Sequence, residues 1–283
     1  MDNNRTIDGN CWLAYFDILG FGNMVESFPV EFVREKFKEA LKEGAKFNAI
    51  CRFKFFSDSF IFYTENDSMD SFRCIRGASA FFFREMFTKK EPPRFPMRGC
   101  LNVGQFYADE ETGIFFGRVL IDAYKLSNDQ DWIGFVLSRE ARERLKDYES
   151  MGLKSSKYSL FQEYNVPYKG ETKGRALLAY IPYSALPDHP GSWWNVLINM
   201  EHEAFLALPD EEENGNIDTC SECKKIFTKY RHTEDYLLSL YPSLHSKVRI
   251  DHDELCAGCR KKRRTMDKED IRNCRAGCSP PIQ

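Results

Sequence analysis

Apolar residues run almost without a break from Cys11 to Ile18, the pattern of a strand buried on both faces. Gly20-Phe21-Gly22 follows, a turn whose glycines allow unusual backbone angles close to a ligand. From Pro29 to Phe47, Val30, Val33, Phe37, Leu41 and Ala45 recur at three and four with Glu and Lys between, which predicts an amphipathic helix with Pro29 in its first turn. Arg52 to Thr64 alternates about Ser57-Asp58 and predicts a hairpin. Asp67 or Ser68 is placed to cap a second helix reaching about Thr88, with Phe72, Ile75, Ala78 and Phe82 on one face; Pro92, Pro93 and Pro96 stop it.

The alternation of elements continues. A strand from Met97 to Tyr107, a glycine-containing polar link and a helix from Arg118 to Leu126 lead to a strand from Trp132 to Leu137. Ser138 caps a helix from Arg139 to Tyr148, without a full capping box because Glu140 is only two places on. Strands Tyr158 to Tyr168 and Arg175 to Tyr180 are joined through Lys169-Gly170-Glu171. Strands and helices interleaved over one sheet make an α+β or α/β sandwich.

Two of these segments carry chemistry. In Tyr15-Phe16-Asp17-Ile18 and again in Phe56-Ser57-Asp58-Ser59, one carboxylate sits inside an aromatic run, where it costs several kcal/mol unless something pairs with it. Ser57-Asp58 is equally an ordinary hairpin tip. For Asp17 the apolar run continues through Ile18, Leu19 and Phe21, which argues against a simple turn. As a pair on two strand ends, the carboxylates suit divalent cations of the kind that accompany a nucleoside triphosphate.

Composition divides the chain. From Thr219 onward there are 14 Lys+Arg against 9 Asp+Glu, and before it 26 against 34, so a basic tail follows an acidic body. Six of the ten cysteines also fall after Thr219, whereas Cys11, Cys51, Cys74 and Cys100 are scattered singly among apolar residues as buried thiols of a reducing compartment. With Glu211-Glu212-Glu213 and Asn214-Gly215-Asn216 marking a boundary, the expected organisation is a domain over 1–185, a helix containing Trp193 and Trp194 with an acidic linker over 186–218, and a Cys-rich basic module over 219–283. No signal peptide or membrane span is evident, so a soluble, cytoplasmic protein is expected.

Phe16-Asp17-Ile18-Leu19-Gly20-Phe21 resembles the Phe-x-Asp-Ile-x-Gly-Phe opening of class III nucleotidyl cyclase catalytic domains, and Lys54-Phe55-Phe56-Ser57-Asp58 resembles their Lys-x-x-Gly-Asp hairpin. Arg98 to Gly104 resembles the following strand, and Phe116 to Leu126 the entry to the helix bearing transition-state residues. The order and separations agree from about Cys11 to Ile181. The resemblance implies a ferredoxin-like α+β sandwich with a mostly antiparallel sheet. It implies that Asp17 and Asp58, helped by the Ile18 carbonyl, bind two Mg2+ or Mn2+ ions, and that amides near Leu19, Gly20 and Phe21 cradle phosphates. It further implies that Lys54 contacts the base, its alternative being a solvated strand lysine, and that a homodimer builds the site between subunits.

The chain departs from that pattern in three places. Ile114 stands where purine cyclases carry a base-reading Asp, and the transition-state Asn and Arg positions are Ile121 and Lys125. Lys125 supplies charge without the bidentate fork of Arg. Phe56-Ser57-Asp58-Ser59 and Ala123-Tyr124-Lys125-Leu126 look most like the stand-alone bacterial antiphage cyclases of the Pycsar type, which implies a product from UTP or CTP. The alternatives are an inactive cyclase fold that senses a nucleotide, or a nucleic-acid-binding protein led by its C-terminal module.

In that module Cys220-Ser221-Glu222-Cys223 and Cys256-Ala257-Gly258-Cys259 are two Cys-x-x-Cys knuckles, the spacing that completes a tetrahedral Zn2+ site in an intracellular chain. His232, His245 and His252 read as surface or packing residues, and Cys274 and Cys278 as a looser pair. Arg260-Lys261-Lys262-Arg263-Arg264 is a basic run without interleaved aromatics, which reads as a solvated face ahead of a nucleic-acid contact. Metal analysis of the fragment 219–283 checks the assignment: zinc is expected in it, and its absence would remove the module's reason to fold.

Overall fold

The computed structural model describes residues 6–44, 51–88, 95–151, 161–180 and 221–240. In chain order these form β1 (Thr6–Ile18), α1 (Phe21–Ser27), α2 (Val30–Gly44), β2 (Cys51–Phe56), β3 (Ser59–Thr64), α3 (Met69–Thr88), β4 (Met97–Asp109), β5 (Ile114–Phe116), α4 (Arg118–Asp129), β6 (Gly134–Leu137), α5 (Arg139–Ser150), β7 (Gln162–Val166), β8 (Arg175–Tyr180) and α6 (Ser221–Leu240). One sheet of order β2-β3-β1-β4-β6-β8-β7 carries them, with β5 paired to β4. Only β4 and β6 run parallel; the other pairs are antiparallel, so the fold is α+β with a mixed sheet.

β1 and β4 lie at its centre, and alternation along β1 sends successive side chains to opposite faces. Trp12 meets Phe72 of α3, and Phe16 packs against Phe82 and Phe83 of the same helix. Tyr15, one position before Phe16, makes an edge contact with Tyr124 of α4 on the other face. The Phe16 layer continues through Phe37, Phe60, Phe62 and Phe95, all buried, with ring centroids about 5 Å apart. Gly99, opposite Phe16 on β4, is required there: a Cβ would lie 2.3 Å from the Tyr15 carbonyl oxygen, and its absence lets Phe135 stack on Phe16.

Caps form where short polar side chains precede apolar periodicity. Ser68 Oγ accepts from the Ser71 N–H at 3.2 Å, and Ser138 Oγ from the Ala141 N–H at 3.0 Å. Differences from the sequence-based expectation have local causes. β1 starts at Thr6, five residues before Cys11, because the polar segment Thr6 to Asn10 pairs with the extension of β4 to Asp109. The polar link after β4 is a hairpin in which Asp109 Oδ1 accepts from the Glu111 and Thr112 N–H groups, returning as β5. Phe21 and Gly22, expected in a turn, open α1 after Gly20, which is left-handed at φ 71°. The helix expected around Trp193 lies outside the described residues.

Helix α6, from the stretch expected to begin a separate module, is drawn into this core. Tyr230, Tyr236 and Leu237 are buried in it, with the Tyr236 ring against Trp132 and Tyr164. Thr233 acts as a substitute strand: its Oγ1 accepts from the Ile133 N–H at 2.9 Å and lies 3.2 Å from the Ile133 carbonyl, so β6 begins at Gly134 and not at Trp132. Thr233→Val, which keeps the shape and removes the acceptor, should cost about 1–3 kcal/mol for an unsatisfied buried donor, as read from the denaturant midpoint of the full chain.

Candidate functional site

The register that aligns β1 with its neighbours also assembles the site. Asp17, the penultimate residue of β1, is paired with Arg98 on β4 and with Ser59 on β3. Cross-strand neighbours on one face touch: the Arg98 Nε donates to Asp17 Oδ2 at 2.8 Å, and Nη2 lies 2.7 Å from the same oxygen in an ion pair. Nη1 donates to the carbonyls of Asn128 and Gln130 at 2.9 and 2.8 Å, and Nη2 also reaches Asn128 Oδ1 at 2.8 Å. Four of the guanidinium N–H groups are therefore hydrogen-bonded within the protein itself. Asn128 Oδ1 in turn accepts from Lys169 Nζ at 3.3 Å.

The β2–β3 tip brings the second carboxylate. Ser57, where the cyclase motif has Gly, is left-handed at φ 54°, the bend a two-residue hairpin needs. The turn is anchored where the Asp58 carbonyl accepts from the Ile18 N–H at 2.9 Å. Tyr15 Oη lies 2.6 Å from Ser59 Oγ, which donates to Asp58 Oδ1 at 3.4 Å. Burial holds the Asp17 carboxyl above the ordinary carboxylate range and the charge of Asp58 adds to this, while Arg98 and Lys169 pull it down. The Lys169 ammonium is held below its usual range by burial and by Arg98. Tyr15 is pushed up to about 12 by burial.

A cavity of about 640 Å³ joins these groups, lined by both carboxylates, by Ile18 and the turn from Leu19 to Gly22, by Tyr15, Ser59, Tyr124 and Asn128, and by the cations Arg98, Lys169 and Lys229. Of the sequence candidates, Asp17, Asp58, Ile18, Leu19, Gly20 and Phe21 come together here. One expectation needs correction: the Leu19 N–H donates to the Pro96 carbonyl at 2.8 Å and is spent in the fold, which leaves the amides of Phe21 and Gly22 in the first turn of α1. Lys54 and Lys125 are not on this wall; Lys54 Nζ lies 5.1 Å from the centre of the Phe115 ring, and Lys125 is exposed on α4. Cys220, Cys256 and Cys259 lie outside the described residues, and Cys223 falls in the first turn of α6. Among the described residues no group of three or more His, Cys, Asp or Glu is placed to hold a metal ion, and no helix is long and apolar enough to cross a membrane.

Sequence reasoning missed Arg98, Asn128, Lys169 and Lys229. The signal for Arg98 was the one used for Asp17, a charge inside a buried strand; that the two meet follows from the strand register. Because breaking a mostly buried ion pair from one side leaves an uncompensated charge, Arg98→Met should cost about 3 kcal/mol. Asp17→Asn in the same chain should recover part of that loss, as urea denaturation of both variants would show.

No protein-family model and no curated protein matches this sequence. Among solved structures, the chain is similar to the catalytic core of a rhodopsin-guanylyl cyclase with converted specificity in complex with ATPalphaS, at 14% identity and a TM-score of 0.47 over 62% of this chain and 98% of that one. It is similar to an adenylyl cyclase from P. aeruginosa at 14% identity and a TM-score of 0.42, covering 62% and 94%. An adenylate/guanylate cyclase/hydrolase from Silicibacter pomeroyi gives 14% and 0.39, covering 62% and 99%.

Proposed function

We propose that this chain is a metal-dependent nucleotidyl cyclase that converts a pyrimidine nucleoside triphosphate, UTP or CTP, to its 3′,5′-cyclic monophosphate and pyrophosphate, as a second messenger in antiphage defence. The observation that carries the reading is the placement of Asp17 and Asp58, 41 residues apart in sequence, on one cavity with Arg98, Lys169 and Lys229. Hard oxygen donors facing each other across a polar cavity, with the charge of one raising the pKa of the other, fit Mg2+ or Mn2+, and Asp17, Asp58 and the Ile18 carbonyl are the groups to hold the ions. When bound, such ions acidify a ribose 3′-hydroxyl and hold the triphosphate.

The residues of the chain do the rest. Arg98 opposes the burial that raises the Asp17 carboxyl and fixes its Oδ2, so that the other oxygen is aimed by the sheet and not by a free rotor. Lys169, an ammonium with three donors and one bond to Asn128, offers the others to the phosphate chain. The 3′-oxygen then bonds to the α-phosphorus as the bond to the bridging oxygen breaks; the electron pair leaves with pyrophosphate and the hydroxyl proton goes to solvent. The chain has Ile114 at the purine-reading position, which supports the pyrimidine assignment.

A homodimer completes the reading. Phe56, Ile114, Phe116, Ile121 and Tyr124 are each at least half exposed, an apolar surface on the β2–β3 tip, β5 and α4 that a second copy would cover. The same docking would bring Lys54 and Lys125 of one protomer toward the cavity of its partner. Zn2+ on Cys220, Cys223, Cys256 and Cys259 belongs to the same proposal, on the strength of their spacing. Ile121 and Lys125 favour one second reading, a nucleotide sensor without turnover, since neither offers the hydrogen bonds of Asn and Arg.

Mass spectrometry of products from all four triphosphates with manganese decides between these. A cyclic pyrimidine monophosphate is expected, and Asp17→Asn or Asp58→Asn should abolish it. Metal-dependent binding without product selects the sensor, and neither binding nor product with any nucleotide overturns both.

A further inference from the structure

The two carboxylates of the cavity are held in different ways. Asp17 has one oxygen, Oδ2, tied to the cation Arg98. Asp58 has one oxygen, Oδ1, tied to the neutral hydroxyl of Ser59, and among the described residues its carboxylate makes no other hydrogen bond or ion pair. Ser59 does not act alone: its Oγ lies 2.6 Å from Tyr15 Oη, the short spacing of a strong O–H···O bond.

Strand register sets up this chain of hydroxyls. On β1, Tyr15 and Asp17 point to one face, and β3 places Ile61 opposite Tyr15 and Ser59 opposite Asp17. Tyr15 and Ser59 are therefore diagonal neighbours, a separation that an aromatic side chain spans. The ring that spans it is fixed, since Tyr15 is only 5% exposed and meets Tyr124 of α4 edge-on at 6.0 Å.

The supply of protons gives the chain a direction. An ionised carboxylate only accepts, and a serine has one hydroxyl hydrogen. Ser59 commits that hydrogen to Asp58 Oδ1, at 3.4 Å, so the short bond is the one that Tyr15 donates to Ser59. A hydroxyl that accepts one hydrogen bond is polarised to donate a stronger one. The 3.4 Å link is the weaker of the two, so what Tyr15 adds to it decides how firmly Oδ1 is held. A neutral chain also orients Asp58 without cancelling its charge, whereas Asp17 faces the positive charge of Arg98.

We propose that Tyr15 is a positioning residue for Asp58: acting through Ser59, it holds Oδ1 and leaves the opposite oxygen for a divalent cation. The inference rests on the cavity's being a divalent-cation site, as proposed above. It gives the phenol hydroxyl of a core ring a part in building that site.

The test is Mn2+ binding to the full chain without nucleotide, read from the electron paramagnetic resonance signal of the free ion. Tyr15→Phe, which keeps the ring and removes the hydroxyl, should weaken Mn2+ roughly 3- to 10-fold, the worth of one hydrogen bond. Ser59→Ala should also weaken it, and the double variant should lose no more than Ser59→Ala alone, because without Ser59 the phenol has nothing to act through. Ser59→Thr, which keeps the hydroxyl, should bind Mn2+ as the wild type does. A phenol that merely packs would lower the melting temperature and leave Mn2+ affinity unchanged. Unchanged affinity in a folded Tyr15→Phe, or losses that add in the double variant, overturns the proposal; should Tyr15→Phe not fold, unchanged affinity in Ser59→Ala does so. A wild-type chain that binds no Mn2+ removes the cation reading and this inference together, whereas full affinity in Tyr15→Phe removes only the latter.

Discussion

The contact on which the rest depends is the Arg98 guanidinium in the middle of the sheet. A charge in so enclosed a place is tolerable only if acceptors and an opposite charge surround it, and here one carboxylate, two backbone carbonyls and one amide oxygen do so. That requirement organises the surroundings. The acceptors come from β1 and from the end of α4, so satisfying one side chain fixes the distance between the sheet and the turn after that helix. Asn128 then carries the order outward to Lys169, and Gln130 carries it inward, its Oε1 accepting from Trp132 Nε1 at 2.8 Å.

The alternation of β1 divides support from chemistry. Phe16 points into the aromatic layer against α3, where it is fully buried, and its neighbours Tyr15 and Asp17 point to the cavity. A one-residue slip would exchange these roles and place a carboxylate among phenyl rings. The density of rings around Phe16, made possible by Gly99, is therefore what holds the cavity-lining face in register. The site lies at the end of β1, where the strand yields beyond Ile18 to the left-handed Gly20.

Much of this was legible from residue order. The hydrophobic periodicity located the starts of α2 and α3 to within a residue or two, and Ser68 and Ser138 marked helix starts because their hydroxyls have only one geometric use there. The two aspartates stood out because charge inside an apolar run demands an explanation. What could not be read were partnerships set by tertiary contact: Arg98 opposite Asp17 depends on a strand register, Lys169 on a turn next to α4, and Lys229 on how a distant helix is turned. The break in charge at Thr219 also hid a continuity, since Tyr230, Tyr236 and Leu237 of α6 belong to the core. Composition reports what solvent meets, and a helix with one buried face between charged neighbours averages to polar.

That continuity bears on biosynthesis. Ile133 and Thr233 are 100 positions apart, so the N–H that opens β6 has no acceptor from α6 until the ribosome has released most of the polypeptide. The earlier strands can pair as they emerge, but the far side of the sheet waits for a helix that begins at Ser221, well after β8 ends at Tyr180. A nascent chain stalled at the acidic linker would hold Asp17 and Asp58 without Lys229 or the buried tyrosines of α6. Such an arrangement delays completion of the pocket until α6 has been made, and it ties the soundness of the sheet to a region that, by charge alone, looks like an appendage.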